Sequence, residues 1–162
     1  MEFPEKQIYT DVIARLKNNS NYFIDAHHEP PAYFDWDRNQ EQPEEEANEL
    51  PFNRPAILIR FGELTYEAMG SRSRRGTVPI TVKVVQDKTV DAAEDLGTQE
   101  LFTKLLEYKY LVNDLLEYYS TNCFSGLELL SMETDHTNRM LHVETIQYRC
   151  RFTLLRKTNL PE

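Results

Sequence analysis

The residues best suited to chemistry in this sequence form two groups of histidines and carboxylates. The first group has His27, His28 and Glu29 close to Asp25, and such side chains hold divalent metals in many proteins. Neighbouring side chains on an extended chain point to opposite sides, so His27 and His28 do not readily hold one ion together. Their spacing also matches no established zinc pattern. We therefore expect an ordinary surface loop here and no metal site.

The second group is Asp135 and His136, followed by His142 and Glu144. An acid and a base held close together can transfer protons in catalysis. The first two residues fall at the tip of a predicted hairpin, and we assign the other two to the solvent-facing phase of the next strand. The prediction is that all four are solvated and take no part in catalysis.

Other catalytic signatures are weak or missing. A nuclease needs carboxylates and a lysine gathered around a strand, and Glu63 with Lys83 is the nearest approach to that arrangement. No serine or cysteine sits in a nucleophile elbow, and no glycine-rich loop precedes a helix in a phosphate-binding pattern. Cys150 falls on the buried phase of its strand, where a thiol is inert. The sequence predicts a protein that is not an enzyme and has no catalytic residue, cofactor or metal.

Composition indicates one globular domain over residues 1–162. The chain is 40% hydrophobic and 28% charged, with a formal net charge of −9. This acidic balance argues against a protein whose main task is nucleic-acid binding, although it leaves room for a local basic patch. No apolar run approaches membrane-spanning length, so we expect no membrane contact. The chain start lacks the pattern of a secretory signal, and Cys123 and Cys150 are expected to be reduced thiols.

Two helices are predicted to organise the fold. Between Thr98 and Tyr119, apolar residues recur at steps of three and four, which lays an apolar stripe along a helix of about six turns. That stripe is wide enough to cover a sheet. A shorter helix is predicted from Pro4 to Lys17, because proline suits the first helical turn and the apolar residues fall on one side.

The first predicted hairpin joins the segments Pro55 to Tyr66 and Thr77 to Gln86. The first segment holds a continuous apolar run and then Gly62, which indicates a buried strand with a bend. The second alternates apolar and polar residues, as in a strand with one buried face. Gly70 to Gly76 forms the predicted tip. Pro79 lacks an N–H and predicts a free edge at that point.

The second predicted hairpin joins Leu127 to Thr134 with Leu141 to Leu155. The latter strand shows the clearest alternation in the chain. The predicted fold class is therefore α+β, with one antiparallel sheet of about four to five strands, in two hairpins, packed by two helices. The order is helix, long loop, hairpin, helix, hairpin.

The long loop at residues 25–54 differs in character from the rest. It holds four prolines and an acidic run without a basic partner, which is typical of a solvated segment. Loops of this length are uncommon in compact domains unless they have a function. Tyr33, Phe34 and Trp36 lie early in it, so we expect that part to be anchored on its own core or on a neighbouring subunit. The acidic half is expected to be looser, and its glutamates are Glu41, Glu44, Glu45, Glu46 and Glu49.

Arg72, Arg74 and Arg75 fall in the predicted tip of the first hairpin. One interpretation is a soluble tip whose charge keeps the sheet edge from pairing with other chains. Another is a contact arm that docks on the acidic run of an adjacent copy, with the glutamates at 44 to 46 as partners. In a ring of copies, the same arm could instead face a central channel that holds DNA. The sequence leaves these alternatives open.

Taken together, the elements resemble the tail-terminator and tail-completion family of tailed bacteriophages. The resemblance rests on the helix ending near Lys17, the long loop leading into the segment Arg54 to Ile59, the polar tip at Gly70 to Gly76, the helix from Thr98 to Tyr119 and the closing strand pair. It covers nearly the whole chain as a pattern of element order, not of fixed residues. The insertion at residues 25–54 is longer and more acidic than the compact family form.

The resemblance implies a structural role. Proteins of this family form a ring, commonly of six copies, at the head-proximal end of the tail tube, where the ring stops tube growth and faces the head-side connector. It implies a homo-hexamer in the tail or neck of a virion, assembled in the cytoplasm of a host bacterium. The implied partners are the tail tube protein and the head-side connector or neck proteins, with DNA able to pass through the ring. The family has no catalytic residues.

Three functional hypotheses follow. The first is a structural assembly protein, either a tail terminator or another head–tail connector or neck protein. The second is a small bacterial adaptor or binding domain whose ligand surface is the aromatic segment from Tyr33 to Trp36. The third is a metal-dependent hydrolase that uses Asp25, His27 or His136. The first two differ in expected oligomeric state and the third in metal dependence, and we favour the first.

Overall fold

A computed structural model describes residues 3–41, 52–70, 73–88, 98–136 and 141–155. These residues form three helices and six strands, which confirms the predicted α+β class with slightly more strands than expected. In chain order the elements are α1 (Pro4–Lys17), α2 (Ser20–Asp25), β1 (Tyr33–Trp36), β2 (Ala56–Phe61), β3 (Thr65–Ala68), β4 (Ser73–Asp87), α3 (Thr98–Leu116), β5 (Glu128–Asp135) and β6 (Leu141–Leu155). The strands make one sheet in the order β1-β2-β4-β6-β5, and β3 pairs with β4.

The two longest strands, β4 and β6, form the centre of the sheet. They pair antiparallel over their full length, from Ser73 opposite Leu155 to Asp87 opposite Leu141. Because side chains alternate between the two faces of a strand, the apolar residues at 78, 80, 82 and 84 all lie on one face, and each has 0% exposure. The predicted second hairpin is also confirmed, since β5 pairs antiparallel with β6.

The predicted first hairpin is confirmed, with a break in its first strand. Both β2 and β3 pair antiparallel with the side of β4 that β6 does not occupy. Between them, Gly62 donates its N–H to the carbonyl oxygen of Pro79 at 2.8 Å. A Cβ atom on Gly62 would lie 2.4 Å from Pro79 Cγ, so glycine lets the two backbones approach. The predicted free edge at Pro79 exists only as a local gap: β4 is an inner strand, and the missing N–H falls in the break between β2 and β3, where neither strand pairs with Pro79.

The sheet is not purely antiparallel, because β1 runs parallel to β2. Tyr33 lies opposite Ala56 and Trp36 opposite Ile59. The prediction placed these aromatics in an irregular loop, and it missed the strand because four residues between prolines and acidic residues carry little periodic signal. A parallel pair needs a long connection between its strands, and the long segment after Trp36 provides one.

The helices cover one face of the sheet. Ile8, Val12 and Leu16 of α1 join Val112 and Leu116 of α3 in one core cluster with that face. Helix α1 ends at Lys17 as predicted. A short second helix, α2, follows it and was not predicted. It buries a single large side chain, Phe23, against the core, so it has no repeating stripe to reveal it.

Helix α3 ends at Leu116, three residues before the predicted end at Tyr119. Glu117 forms a bridge with Leu127, and Tyr118 adopts a φ of 62°, a left-handed conformation that an α-helix cannot continue through. None of the helices in the described ranges has an apolar stretch long enough to cross a membrane.

The other face of the sheet is apolar only at one end. There Phe52 and Tyr33 pack on a small cluster near the ends of β2, β4 and β6 that comprises Ala56, Leu58, Val85, Leu141 and Val143. Towards the opposite end, the same face carries mainly threonine, glutamine and arginine side chains. Antiparallel sheets commonly present one such polar face to solvent or to a partner.

Candidate interaction surfaces

The polar end of this second face gathers four arginines, which we call the arginine face: Arg60 of β2, Arg75 of β4, and Arg149 and Arg151 of β6. The register places Arg60 opposite Thr81, Arg75 opposite Thr153, and Arg149 and Arg151 opposite Pro79 and Thr77. All four side chains point to the second face. In each strand, the residues next to these arginines point to the helix side, and successive residues of a strand point to opposite faces. Arg60, Arg75 and Arg151 are exposed, and Arg149 is partly exposed.

The charges of the arginine face are only partly balanced. Glu128 of β5 serves two of them, with carboxylate oxygens 3.4 Å from Arg149 Nη1 and 3.0 Å from Arg151 Nη1. Within the described residues, Arg60 and Arg75 make no ion pair or side-chain hydrogen bond, although Glu67 stands opposite Arg75 in the register. Exposed pairs of this kind contribute little to stability. The arginines are therefore available to an external partner at small cost to the fold.

The predicted arm at Arg72, Arg74 and Arg75 takes a different form from the one expected. Arg72 lies outside the described residues. Arg74 and Arg75 belong to β4, which is flanked there by β3 and β6, so they do not sit on a free tip. Because they are consecutive in a strand, Arg75 faces the arginine face and Arg74 faces the helix side.

The acidic partners proposed for that arm, Glu44, Glu45 and Glu46, lie outside the described residues. The start of the acidic run does not behave as a solvated segment, because Glu41 is only 1% exposed. Lys83 Nζ donates to Glu41 Oε1 at 2.6 Å, to Asp37 Oδ1 at 3.1 Å and to Asn39 Oδ1 at 3.3 Å. We call these four residues the Lys83 cluster. It holds the segment after β1 against the apolar end of the second face.

The three predicted aromatic contact residues pack within their own chain. The Trp36 ring stacks on Tyr9 of α1, with centroids 4.0 Å apart and planes 8° from parallel. Phe34 lies beneath the ammonium of Lys17, and Tyr33 stacks against Phe52 at 5.1 Å. The expectation that this segment is anchored is confirmed, and of the two anchors considered the structure shows its own core. Trp36 keeps 40% of its surface exposed, so it alone of the three offers substantial area to a partner.

The expectation that His142 and Glu144 are solvated was wrong. Both side chains point to the same face of β6 as Ile146, which is the face that α3 covers. His142 is 2% exposed and Glu144 is 0% exposed. Glu144 contacts Lys109 Nζ at 3.1 Å, His142 Nε2 at 2.8 Å and the Thr134 hydroxyl at 2.9 Å. Burial opposes the charged form, but these three hydrogen bonds together hold the pKa of the Glu144 carboxyl below its ordinary value. Three polar side chains thus stabilise one buried carboxylate, and Lys109 supplies the opposite charge.

The other candidate histidines are not gathered into a metal-binding group in the described part of the chain. His27 is exposed and has a φ of 62°, while the ring of His28 lies 3.3 Å from a carboxylate oxygen of Glu107. His136 is exposed at the end of β5. Across the described ranges, no three His, Cys, Asp or Glu side chains are placed to hold a metal ion. Burial raises the pKa of the Cys150 thiol to about 12, as expected for an unreactive cysteine.

Comparison with known proteins finds likeness in structure and none in sequence families. No protein-family model matches the chain, and no curated protein matches it. Among solved structures, the chain is similar to a chain of the virion of a native gene transfer agent (GTA) particle. The two share 13% sequence identity with a TM-score of 0.47, over 88% of this chain and 92% of that one.

Proposed function

We propose that this chain is a structural protein of a tailed-phage-type virion, which self-associates into a ring and acts as a tail terminator or a closely related neck component. The observation that carries the proposal is the order of elements: a helix, a long connection, a hairpin, a 19-residue helix and a closing hairpin. This is the layout in which the sequence resembles the tail-terminator family. On this proposal the ring has about six copies, as in that family.

The placement of the buried charges supports a structural role. Lys83 and Lys109 are both buried, and each is bound to carboxylates that tie separate elements together. Lys83 joins β4 to the segment after β1, and Lys109 joins α3 to β6. A buried ammonium paired with a carboxylate from another element helps to specify how the two elements are arranged.

The proposed partners follow from the ring. One side would meet the tail tube protein and the other the head-side connector or neck proteins, with DNA passing through the lumen. Subunit contacts would include the arginines at 72, 74 and 75, the acidic segment at 44 to 46 and the exposed edge of Trp36. The adaptor alternative has less support, because most of its aromatic surface packs inside the chain.

Negative-stain imaging of the purified protein tests this proposal. We expect annular particles with a central opening and about six repeats, as in a closed assembly of identical subunits. Particles with two-fold symmetry and no opening would contradict it. When tail tubes from a tailed phage are mixed with the protein, we expect the same annulus at one end of each tube only.

A further inference from the structure

We infer that copies of this chain associate head to tail, with the outer side of α3 on one copy docked on the arginine face of the next. This inference rests on the proposed self-association and deepens it, because it assigns the two surfaces that meet. The structure supports it through charge, residue type, spacing and the opposite placement of the two surfaces on the molecule.

The first surface is the arginine face. It lies on the side of the sheet that the helices leave open, and it begins at Arg60, two residues along β2 from Leu58 of the apolar end. It carries four arginines, and Glu128 balances two of them. In a chain whose formal net charge is −9, this gathering of positive charge is the reverse of the overall balance. Such a surface favours an acidic partner.

The second surface is a stripe along α3. The buried side of α3, with Tyr108, Val112 and Leu115, faces the sheet, so residues of the opposite helical phase point away from it. Five exposed residues occupy that phase at steps of three and four, and we call them the outer stripe: Glu100, Thr103, Glu107, Tyr110 and Asp114. Three of the five are acidic. Lys104, beside the stripe, is the exposed basic residue of α3.

The chemistry of the outer stripe complements that of the arginine face. Tyr110 is 54% exposed in the middle of the stripe, between Glu107 and Asp114. Arginine side chains pair with carboxylates and also stack on aromatic rings, and tyrosine and arginine are enriched where proteins meet. Asp114 Oδ2 accepts from the Tyr22 hydroxyl at 2.7 Å and Glu107 Oε2 lies 3.3 Å from His28 Nε2, so arginines of a partner would meet the other oxygen of each carboxylate beside the exposed tyrosine.

The spacing of the charges also matches. Glu107 and Asp114 are seven residues apart on α3, which is about 10 Å along a helix axis. Arg60 and Arg149 lie on strands separated by β4 and are offset by two residues in register. That separation is about 12 Å, from a strand spacing near 4.8 Å and a rise near 3.3 Å. Flexible side chains easily absorb the difference.

The opposite placement of the surfaces fixes the kind of assembly. Helices cover one face of the sheet and the arginine face is on the other, so a single copy cannot bring its own two surfaces together. A contact between unlike surfaces is heterologous, and repetition of it gives a closed ring or an open filament instead of a two-fold dimer. Each copy in a closed ring then uses both surfaces once.

Two charge-reversed variants test the inference. The sheet variant carries Arg60→Glu and Arg149→Glu, and the helix variant carries Glu107→Lys and Asp114→Lys. Each variant loses one surface and keeps the other, so each alone should associate more than about tenfold more weakly than the unmodified chain in light scattering. Mixed in equal amounts, the two variants should regain assembly. In the mixture, the reversed α3 of the helix variant can pair with the reversed arginine face of the sheet variant. The native α3 of the sheet variant can pair with the native arginine face of the helix variant.

Lys6→Glu is the matched control, because it changes charge by the same amount per site at an exposed position of α1 and should leave assembly unchanged. Circular dichroism checks that each variant keeps its fold. Unchanged assembly of both variants would overturn the inference, and so would a mixture that stays dissociated. If the unmodified chain does not associate, both the proposed function and the inference fail. If it associates and the variants associate equally well, only the inference fails.

Discussion

The ammonium of Lys83 lies 2.6 Å from a carboxylate oxygen of Glu41, at the start of a run of glutamates that the sequence would place in solvent. This contact draws the segment after β1 onto the sheet and buries both groups. It also divides the second face of the sheet into a covered apolar end and an open end that carries the arginines. A buried ion pair and an exposed charged surface thus share one sheet face.

Removal of the Lys83 ammonium should destabilise the fold strongly. Lys83→Met removes the ammonium that the buried carboxylates of Asp37 and Glu41 contact, and loss of one partner of a buried pair costs about 3–5 kcal/mol. Urea unfolding followed by circular dichroism measures the free energy of unfolding. Lys104→Met at an exposed site is the control, with an expected change within about 0.5 kcal/mol. Equal stability of the two variants would show that the Lys83 cluster does not hold this segment in place.

Glu144 should make a pH-dependent contribution to stability. Its pKa is lowered in the folded state, so the contribution is complete above the ordinary value of 4.5 and is lost as pH falls through the folded pKa. Glu144→Gln should therefore cost about 3 kcal/mol at pH 7, where it leaves Lys109 buried without its anion. The difference between the variant and the unmodified chain should shrink below pH 4.5. Denaturant titrations at pH 7 and near pH 3 make the comparison, and a difference that grows on acidification would contradict it.

The break between β2 and β3 should depend on glycine at position 62. Gly62→Ala places a methyl group against the ring of Pro79, and overpacking of this kind costs about 1–3 kcal/mol. In a Pro79→Ala background the clash disappears, so the same glycine substitution should cost clearly less. A double-mutant cycle of unfolding free energies measures the coupling. Additive effects of the two substitutions would mean that the backbone relaxes the contact by another route.

Reversal of the arginines at the end of the first hairpin should weaken assembly and leave the fold intact. Arg72, Arg74 and Arg75 are replaced by glutamate together, and the readout is molar mass in solution. Because Arg75 lies on the arginine face and Arg74 on the helix side, Arg75→Glu alone should account for more of the loss than Arg74→Glu. Unchanged assembly of the triple variant would remove all three residues from the subunit contact.

The elements that the sequence predicted well are those with long periodic signals. Apolar spacing located α1 and α3, and alternation located β4 and β6, because each element packs one repeating face against the core. The missed elements are short. β1 has four residues and α2 has six, and both are fixed by partners distant in the chain, such as β2 for β1 and the core around Phe23 for α2.

The predicted site residues show why charge alone misleads. Glu41 and Glu144 have the residue type of solvated groups, and their burial depends on Lys83 and Lys109, which are far away in sequence. The alternation in β6 could have predicted that Glu144 is buried, since Glu144 lies two residues from the buried Ile146 and points to the same face. The arginine face was missed because its members come from three strands, and only the register brings them together.

The measurement that tests the central claim most directly is the molar mass of the purified chain, by light scattering across a concentration series. A ring of six copies of the 19.1 kDa chain predicts a species of about 115 kDa that becomes dominant as concentration rises. A single species of 19.1 kDa at every concentration would contradict self-association, and with it both the proposed ring and the head-to-tail contact.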